Sequence, residues 1–369
     1  MRTLSTSLLA LLLAAPLAIG TARAADDPVA AAKAAVAAAV KPNPPWDGPS
    51  TGPAIQPGKT IVYVSTDERN GGARGVGQAV VEAGGVAGWT VRVLDGQGSV
   101  SGRSAALNQA IALQPDGIVL GGIDAAEQAA AIDAARAANI PVVGWHATAT
   151  AGPSADGKVF TNITTDPLEV ARVAASAAIA DSDGKAGVVI FTDSVYAVAI
   201  AKSDAMAEVI KACPTCELLS VEDTPLSDVS ARMPTLTTAL LQRFGDRWTY
   251  ALGINDLYFD FMAPSLASAG IAGDGYPRNI SAGDGSEVAF QRIRAKQYQV
   301  GTVAEPLRLQ GWQIVDEMNR ALAGQPHSGY VPPTHLFTPD NIQFDGGPNN
   351  IYDPDNGYTD AYKTIWGVP

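Results

Sequence analysis

From Lys59 onward the chain repeats one unit: a short apolar run, a polar turn, then an Ala-rich stretch with apolar positions at helical spacing. Short apolar runs bounded by turn residues read as strands buried on both faces, and their alternation with helices is the pattern of a parallel sheet. The first series of runs is Ile61–Val64, Thr90–Leu94, Gly117–Leu120, Pro141–Gly144 and Val159–Phe160. The second is Ala186–Phe191, Glu217–Val221, Thr249–Gly253, Asn279–Ala282 and Val300–Val303. Helices are expected between them, among them Ser104–Gln114, Ala125–Asn139, Pro167–Ala180, Val198–Ala212 and Leu307–Ala323. Two such series predict two doubly wound α/β units. In open sheets of this kind ligands bind beyond the carboxyl ends of the strands, which directs attention to the loops there.

The flanks differ. Arg2 precedes an apolar run from Leu8 to Ile19, and Ala22-Arg23-Ala24 has the small-x-small form of a cleavage site. The run is shorter than the roughly 20 residues a membrane span needs, so residues 1–24 read as a secretory signal. Pro28 to Val40 reads as a short helix. Lys41 to Pro53 carries too many Pro and Gly residues for regular structure, and residues 25–58 are expected to lie on the surface as a leader. The end of the chain, residues 345–369, is rich in Gly, Asn, Asp, Pro and Tyr and is expected as a surface tail.

Composition narrows the function. Of 369 residues, 47% are hydrophobic and 17% charged, which is globular, and 25 Lys and Arg against 37 Asp and Glu give a formal charge of −12. No basic cluster occurs, which counts against nucleic acid or an anionic membrane as partner. No P-loop, Gly-x-Ser-x-Gly or His-Glu-x-x-His stretch is present. Gly71-Gly-Ala-Arg-Gly-Val-Gly77 has the wrong spacing for a dinucleotide site, and its glycines are expected to allow tight packing of a loop. No cofactor, metal or catalytic residue is expected, and an enzyme is the least supported class. Cys213-Pro-Thr-Cys216 reads as a redox pair, half a zinc site or a structural disulfide. Its place between a helix end and a strand, with no further ligands nearby, favours the disulfide in an exported protein.

Several segments resemble one family. Ile61 to Asn70 forms a first strand and loop; Gln114-Pro-Asp-Gly-Ile-Val-Leu120 and Ala138-Asn-Ile-Pro-Val-Val143 match a third and a fourth strand. Gly253-Ile-Asn-Asp256, Ala282-Gly-Asp-Gly285 and Gly301-Thr-Val-Ala-Glu-Pro306 follow in order. Between Lys59 and Asn341 the chain resembles the ribose/galactose-type periplasmic sugar-binding proteins of ABC importers. That resemblance implies the type I periplasmic binding fold, two doubly wound lobes joined by a three-crossover hinge, with crossings near 162–166, 305–306 and 332–335. The first lobe would hold residues 59–164 plus 306–332, the second 165–305 plus 333–344. It also implies a monomer that passes a sugar or polyol to an ABC permease in the inner membrane. A receptor that signals to a membrane sensor or chemoreceptor would use the same cleft.

By position the resemblance places Asn255 and Asp284 against sugar hydroxyls, puts Glu305 where the family has a hinge glutamine, and sets Lys202 near a family arginine. The departures exclude inheriting a pentose specificity. The first loop has Arg69-Asn-Gly-Gly72 in place of an aromatic pair, and Trp145-His146-Ala147 follows the fourth strand. The residues can also be read for their own chemistry. A polyhydroxylated ligand needs planar hydrogen-bonding side chains and aromatic faces for its C–H surfaces. The candidate set is therefore Thr66, Asp67, Glu68, Arg69, Trp145, His146, Tyr196, Lys202, Asn255, Asp256, Tyr258, Asp284 and Glu305. Acids outnumber cations in it, which suits a neutral or cationic ligand over an anion. Plainer roles stand beside these: Asp256 as a helix cap, Trp145, Phe259 and Phe261 as core, His146 as an ordinary loop residue, Glu305 as the partner of a base across the hinge.

Overall fold

The structure is a computed structural model that describes residues 27–369; the expected signal, residues 1–24, lies outside the described residues. A leader helix α1 (Pro28–Ala39) is capped by Asp27 and followed by the Pro-rich run. Then come β1 (Thr60–Ser65), α2 (Gly71–Val86), β2 (Thr90–Asp95), α3 (Val100–Ala112), β3 (Gly117–Gly121), α4 (Ala129–Ala137), β4 (Val142–Trp145) and β5 (Asn162–Ile163). These strands form one sheet in the order β2-β1-β3-β4-β5, with every pairing parallel. The next elements are α5 (Pro167–Asp181), β6 (Gly187–Thr192), α6 (Ala197–Lys211), β7 (Glu217–Asp223), α7 (Val229–Phe244), β8 (Tyr250–Gly253), α8 (Leu257–Ser268), β9 (Arg278–Ser281), α9 (Glu287–Ala295) and β10 (Gly301–Ala304). The chain ends with α10 (Leu307–Leu322), β11 (His335–Phe337) and α11 (Tyr358–Trp366). The second sheet runs β11-β10-β9-β8-β6-β7 and is parallel except for β11, which is antiparallel to β10.

Each sheet has helices on its faces, so the central strands are buried on both sides and read as apolar runs. Val62, Tyr63 and Val64 in β1 and Val188 to Phe191 in β6 are fully buried. The helix α10 follows the second sheet's β10 yet packs in the first lobe, where Leu309, Trp312, Val315 and Met318 join Tyr63, Val76 and Val119 in one cluster. The chain therefore passes between the lobes after β5, between β10 and α10, and between α10 and β11.

Four sequence readings change here. Gly71 to Gly77 lies in a helix, α2, started by Asn70, whose Oδ1 accepts from the N–H groups of Gly72 and Ala73. Its glycines serve close packing of the helix: a Cβ at Gly77 would meet Tyr63, and one at Gly84 would meet Val91. The fifth strand lies at Asn162–Ile163 instead of Val159–Phe160, pinned where Gly144 pairs with Asn162. A short sixth strand, β11, joins the second sheet. The tail is also more than a surface strip, because Tyr358, Tyr362 and Trp366 recur at i, i+4 and i+8 and bury one face of α11 against α10. There Trp366 stacks on Trp312 at 5.4 Å between centroids and donates to Asp316.

Leader and tail both touch the two lobes. The leader helix packs on α5, burying Ala32 and Ala39, and the carbonyl of Val40 accepts from Asn341. Farther on, Trp46 lies against Tyr330 and Tyr362, and Arg320 donates to the carbonyl of Thr51. The tail meets His335 through stacked Tyr352 before reaching α10. The two segments are hydrogen-bonded to each other through Tyr352 Oη donating to Asn43 and Trp46 N donating to Asn356. Cys213 and Cys216 form a disulfide between the end of α6 and β7.

Candidate functional site

Between the lobes, at the carboxyl ends of β1, β4, β6, β8 and β9, is a cavity of about 60 Å³. From the first lobe it takes Thr66, Asp67, Asn70, Gly98, Gly122, Trp145 and His146. From the second it takes Tyr196, Val198, Ala199, Lys202, Leu226, Ser227, Ile254, Asn255, Leu257 and Asp284. Of the residues expected from sequence, Thr66, Asp67, Trp145, His146, Tyr196, Lys202, Asn255 and Asp284 meet here.

Trp145 ends β4, and successive strand residues normally point to opposite faces. His146 instead takes φ 50°, the left-handed region that few non-glycine residues adopt, and its ring turns back to stack on the indole at 4.0 Å with 9° between planes. Backbone held in that region is a feature of sites that need one side chain aimed against local preference. The imidazole then faces two carboxylates, with Nε2 3.3 Å from Glu305 Oε1 and Nδ1 4.0 Å from Asp284 Oδ1. The first is a close polar contact rather than an aligned hydrogen bond, since Nε2 has no hydrogen-bond partner.

The two carboxylates are held differently. Glu305 is wholly buried and accepts from Thr165 N at 3.1 Å, Thr165 Oγ1 at 2.7 Å and Gln310 Nε2 at 2.6 Å. Burial alone would raise its pKa, but His146, Lys202 and the Thr165 hydroxyl together hold it well below the ordinary carboxylate range. Burial raises that of Asp284, against the pull of His146 and Lys202. Asp284 Oδ2 accepts from Asn255 Nδ2 at 2.6 Å, and Asn255 Oδ1 caps α8 through Leu257 N at 2.8 Å. Lys202, 2% exposed, donates to the carbonyl of Ala282 at 2.8 Å. A continuous chain of contacts results. It runs from Trp145 Nε1 to Gln310, to Glu305, to His146, to Asp284 and to Asn255.

Five expected residues stand elsewhere. Glu305 sits behind the cavity wall, because its oxygens are taken up by the crossover residue Thr165 and by Gln310. Asp256 is buried and binds the backbone N–H groups of Gly285 and Ser286 and the amide of Gln299, so it shapes the loop carrying Asp284 and neither lines the cavity nor caps α8. Tyr258 is core: it stacks on Phe191 and donates to the carbonyl of Thr224, on the inward face of α8 with Phe259, Met262 and Leu266. Arg69 turns to solvent and clamps Asp67, with Nε 3.0 Å from Oδ1 and Nη2 2.7 Å from Oδ2. Glu68 lies beside that clamp, outside the cavity lining, with its N–H donated to Asp95.

Asn70, Leu226 and Ser227 line the cavity without having been singled out. Asn70 caps α2, a helix that its glycines kept from being read, so its place at the cavity was hidden with it. Leu226 and Ser227 carried no signal, because they reach the cleft only through the loop after β7. The α2 start also matters to the closeness of the lobes: a Cβ on Gly72 would collide with the Asp284 carboxylate.

A model of the family described as periplasmic binding protein domain matches residues 61–326. The chain belongs to this family. No match was found among curated proteins. Among solved structures, the binding-protein fold is shared with a sugar ABC transporter protein from Yersinia enterocolitica subsp. enterocolitica 8081, at TM-score 0.70 and 16% identity, covering 86% of this chain and 98% of that one. A glucose-galactose binding protein, GanP, from Geobacillus stearothermophilus matches at 0.67 and 18%, over 78% and 99%. An ABC transporter solute-binding protein from Agrobacterium vitis, solved with bound allitol, matches at 0.64 and 20%, over 78% and 97%. At these identities the likeness is one of fold: the two doubly wound units expected from the strand pattern are observed, and they have the type I periplasmic binding fold that the family resemblance implied.

Proposed function

We propose that this binding-protein chain is an exported solute receptor that closes on a small, neutral, polyhydroxylated ligand, a sugar or polyol, and hands it to an ABC permease in the inner membrane. The signal-like segment 1–24, the acidic charge and the periplasmic family support export to the periplasm, where the chain would act as a monomer. Residues 59–164 with 306–332 would move as one body and 165–305 with 333–344 as the other, by hinge bending. The observation that carries the reading is the composition of the cavity. Both lobes contribute to it, and its charges are already compensated: Asp67 by Arg69, Asp284 by Lys202 and His146.

A ligand entering such a site meets no uncompensated charge, which disfavours a strongly anionic or cationic group. It meets carboxylate and amide oxygens that accept from hydroxyls, and donors on Asn255, Tyr196 and Lys202 that suit hydroxyl oxygens. Trp145 offers an apolar face. Solved relatives of the same fold carry names that point the same way: GanP is a glucose-galactose binder, and the Agrobacterium vitis protein holds allitol.

The test is a thermal-shift screen of the mature chain against aldoses, alditols, amino sugars and sugar acids. A cognate ligand at 100 times its Kd stabilises by about 2.7 kcal/mol, a shift that is easily seen. A hit confined to charged compounds would overturn the neutral-polyol reading.

A further inference from the structure

The helix α6 has no cap of its own. The residue before its first turn is Tyr196, which makes no side-chain capping bond, and no acidic residue stands in that turn. The N–H of Ala197 is satisfied instead from the opposite lobe, by Asp124 Oδ2 at 3.1 Å. The other oxygen, Oδ1, accepts from Ala126 N at 2.8 Å and Glu127 N at 3.3 Å in its own lobe. One buried carboxylate thus serves two backbone turns, one on each side of the cleft. Around it, Thr66 Oγ1 lies 3.2 Å from Tyr196 Oη. Arg103, held by Glu127, lies 5.6 Å from the centre of the Tyr196 ring. Thr66, Arg103 and Asp124 form a receptor in the first lobe for the tip of α6.

We propose that Asp124 is a closure latch: it caps α6 only when the lobes are together, and so sets the open-to-closed ratio without contacting ligand. Its carboxylate stabilises the helix both by a charge-assisted bond and by its position at the positive end of the helix dipole. Opening withdraws both at once, leaving the first N–H of α6 to water. The consequence reaches the ligand because the same end of α6 carries Tyr196, Val198, Ala199 and Lys202 into the cavity. The latch rests on the reading of a two-lobed, hinge-bending receptor but on no particular ligand.

The decisive variant is Asp124→Asn. Its amide oxygen can keep the bonds to Ala126 and Glu127 while its NH2 group faces the Ala197 N–H, so the local turn survives and the cross-lobe bond is lost. Two exposed positions, Gln109 in α3 and Glu208 in α6, accept spin labels after Gln109→Cys and Glu208→Cys; the native cysteines are paired and do not compete. Pulsed electron spin resonance on the empty full chain then reads the separation of the lobes. The ratio of long to short separations should rise about tenfold or more in Asp124→Asn, the factor expected for one charge-assisted bond. The melting temperature should change little. An unchanged distance distribution, or a wild-type chain with no short-separation population, would overturn the latch. A purely structural role would instead lower the melting temperature and leave the distances alone. No ligand enters the measurement, so its failure is separate from failure of the sugar reading.

Discussion

His146 Nε2 stands 3.3 Å from Glu305 Oε1, and this pair joins the first lobe to the crossover segment between β10 and α10. The carboxylate is fully buried and receives three further bonds, from Thr165 N, Thr165 Oγ1 and Gln310 Nε2, so it acts as an anchor behind the ligand cavity. Replacing it with an amide sets an NH2 group against donors. Glu305→Gln is therefore expected to destabilise the empty protein by about 1–3 kcal/mol, the cost of leaving a buried donor unpaired. Chemical denaturation of the variant checks this. A stable variant with altered ligand choice would return Glu305 to the cavity wall.

Lys202 is the one ammonium among the cavity-lining side chains, and it faces Asp284 and Glu305. Lys202→Met keeps much of the volume and removes the charge, which leaves Asp284, already raised by burial, harder to ionise. A raised folded-state carboxyl contributes stability at low pH that is lost as pH rises through its folded value. The deficit of Lys202→Met against wild type should therefore grow as pH rises above the ordinary carboxylate range, reaching about 3 kcal/mol. Parallel melts at rising pH decide it, and a pH-independent deficit would argue against the Asp284 coupling.

Glu317 in α10 is 1% exposed, and burial pushes its carboxyl up to about 7 from the ordinary 4.5, with Ser328 N and Oγ donating to it. The folded state then binds a proton that the unfolded chain has released between those values, so stability falls as pH rises from 4.5 through 7. The full effect is on the order of 3 kcal/mol. Glu317→Gln removes the titration and should flatten the decline in melting temperature over that window. An equal slope in both proteins would mean that Glu317 is not the group responsible.

The disulfide between Cys213 and Cys216 closes a very short loop, so chain-entropy reasoning assigns it about 2 kcal/mol. It lies at the end of α6 away from the cavity lining. Reduction should lower the melting temperature by a few degrees and leave ligand affinity unchanged. Titration of a reduced sample by calorimetry tests both halves.

Trp366 fixes the tail to α10 by stacking on Trp312 and by donating to buried Asp316. Trp366→Ala is expected to cost about 3–5 kcal/mol, as for other large buried aromatics. A loss below about 1 kcal/mol in a denaturant titration would show that α11 is peripheral to the first lobe.

These contacts also show where the chain could be read and where it could not. Central strands such as Ile61–Val64 and Ala186–Phe191 are buried on both faces, and their apolar runs announce them. The helix α2 was hidden because glycine, chosen where the helix presses on Tyr63, Val91 and Asp284, looks like loop chemistry. The three-residue β11 follows Pro332-Pro333 and carries no periodicity; only pairing with β10 makes it a strand. In the site, Trp145 and His146 were legible from their place at a strand end, and Asn255 from the family resemblance. Whether a polar side chain at such an end faces ligand or scaffold was not, because Glu305 and Asp256 are claimed by partners distant in sequence, Thr165 and Gln299.

The most direct measurement of the central claim is calorimetric titration of the mature chain with monosaccharides and alditols, paired with the variant Asp284→Ala. The cavity geometry predicts one saturable site per chain for at least one neutral polyol. It also predicts a loss of about 1.5–3 kcal/mol in the variant, the worth of hydrogen bonds to a charged group. Binding that survives Asp284→Ala undiminished, or no binding by any neutral polyol while charged solutes bind, would contradict it.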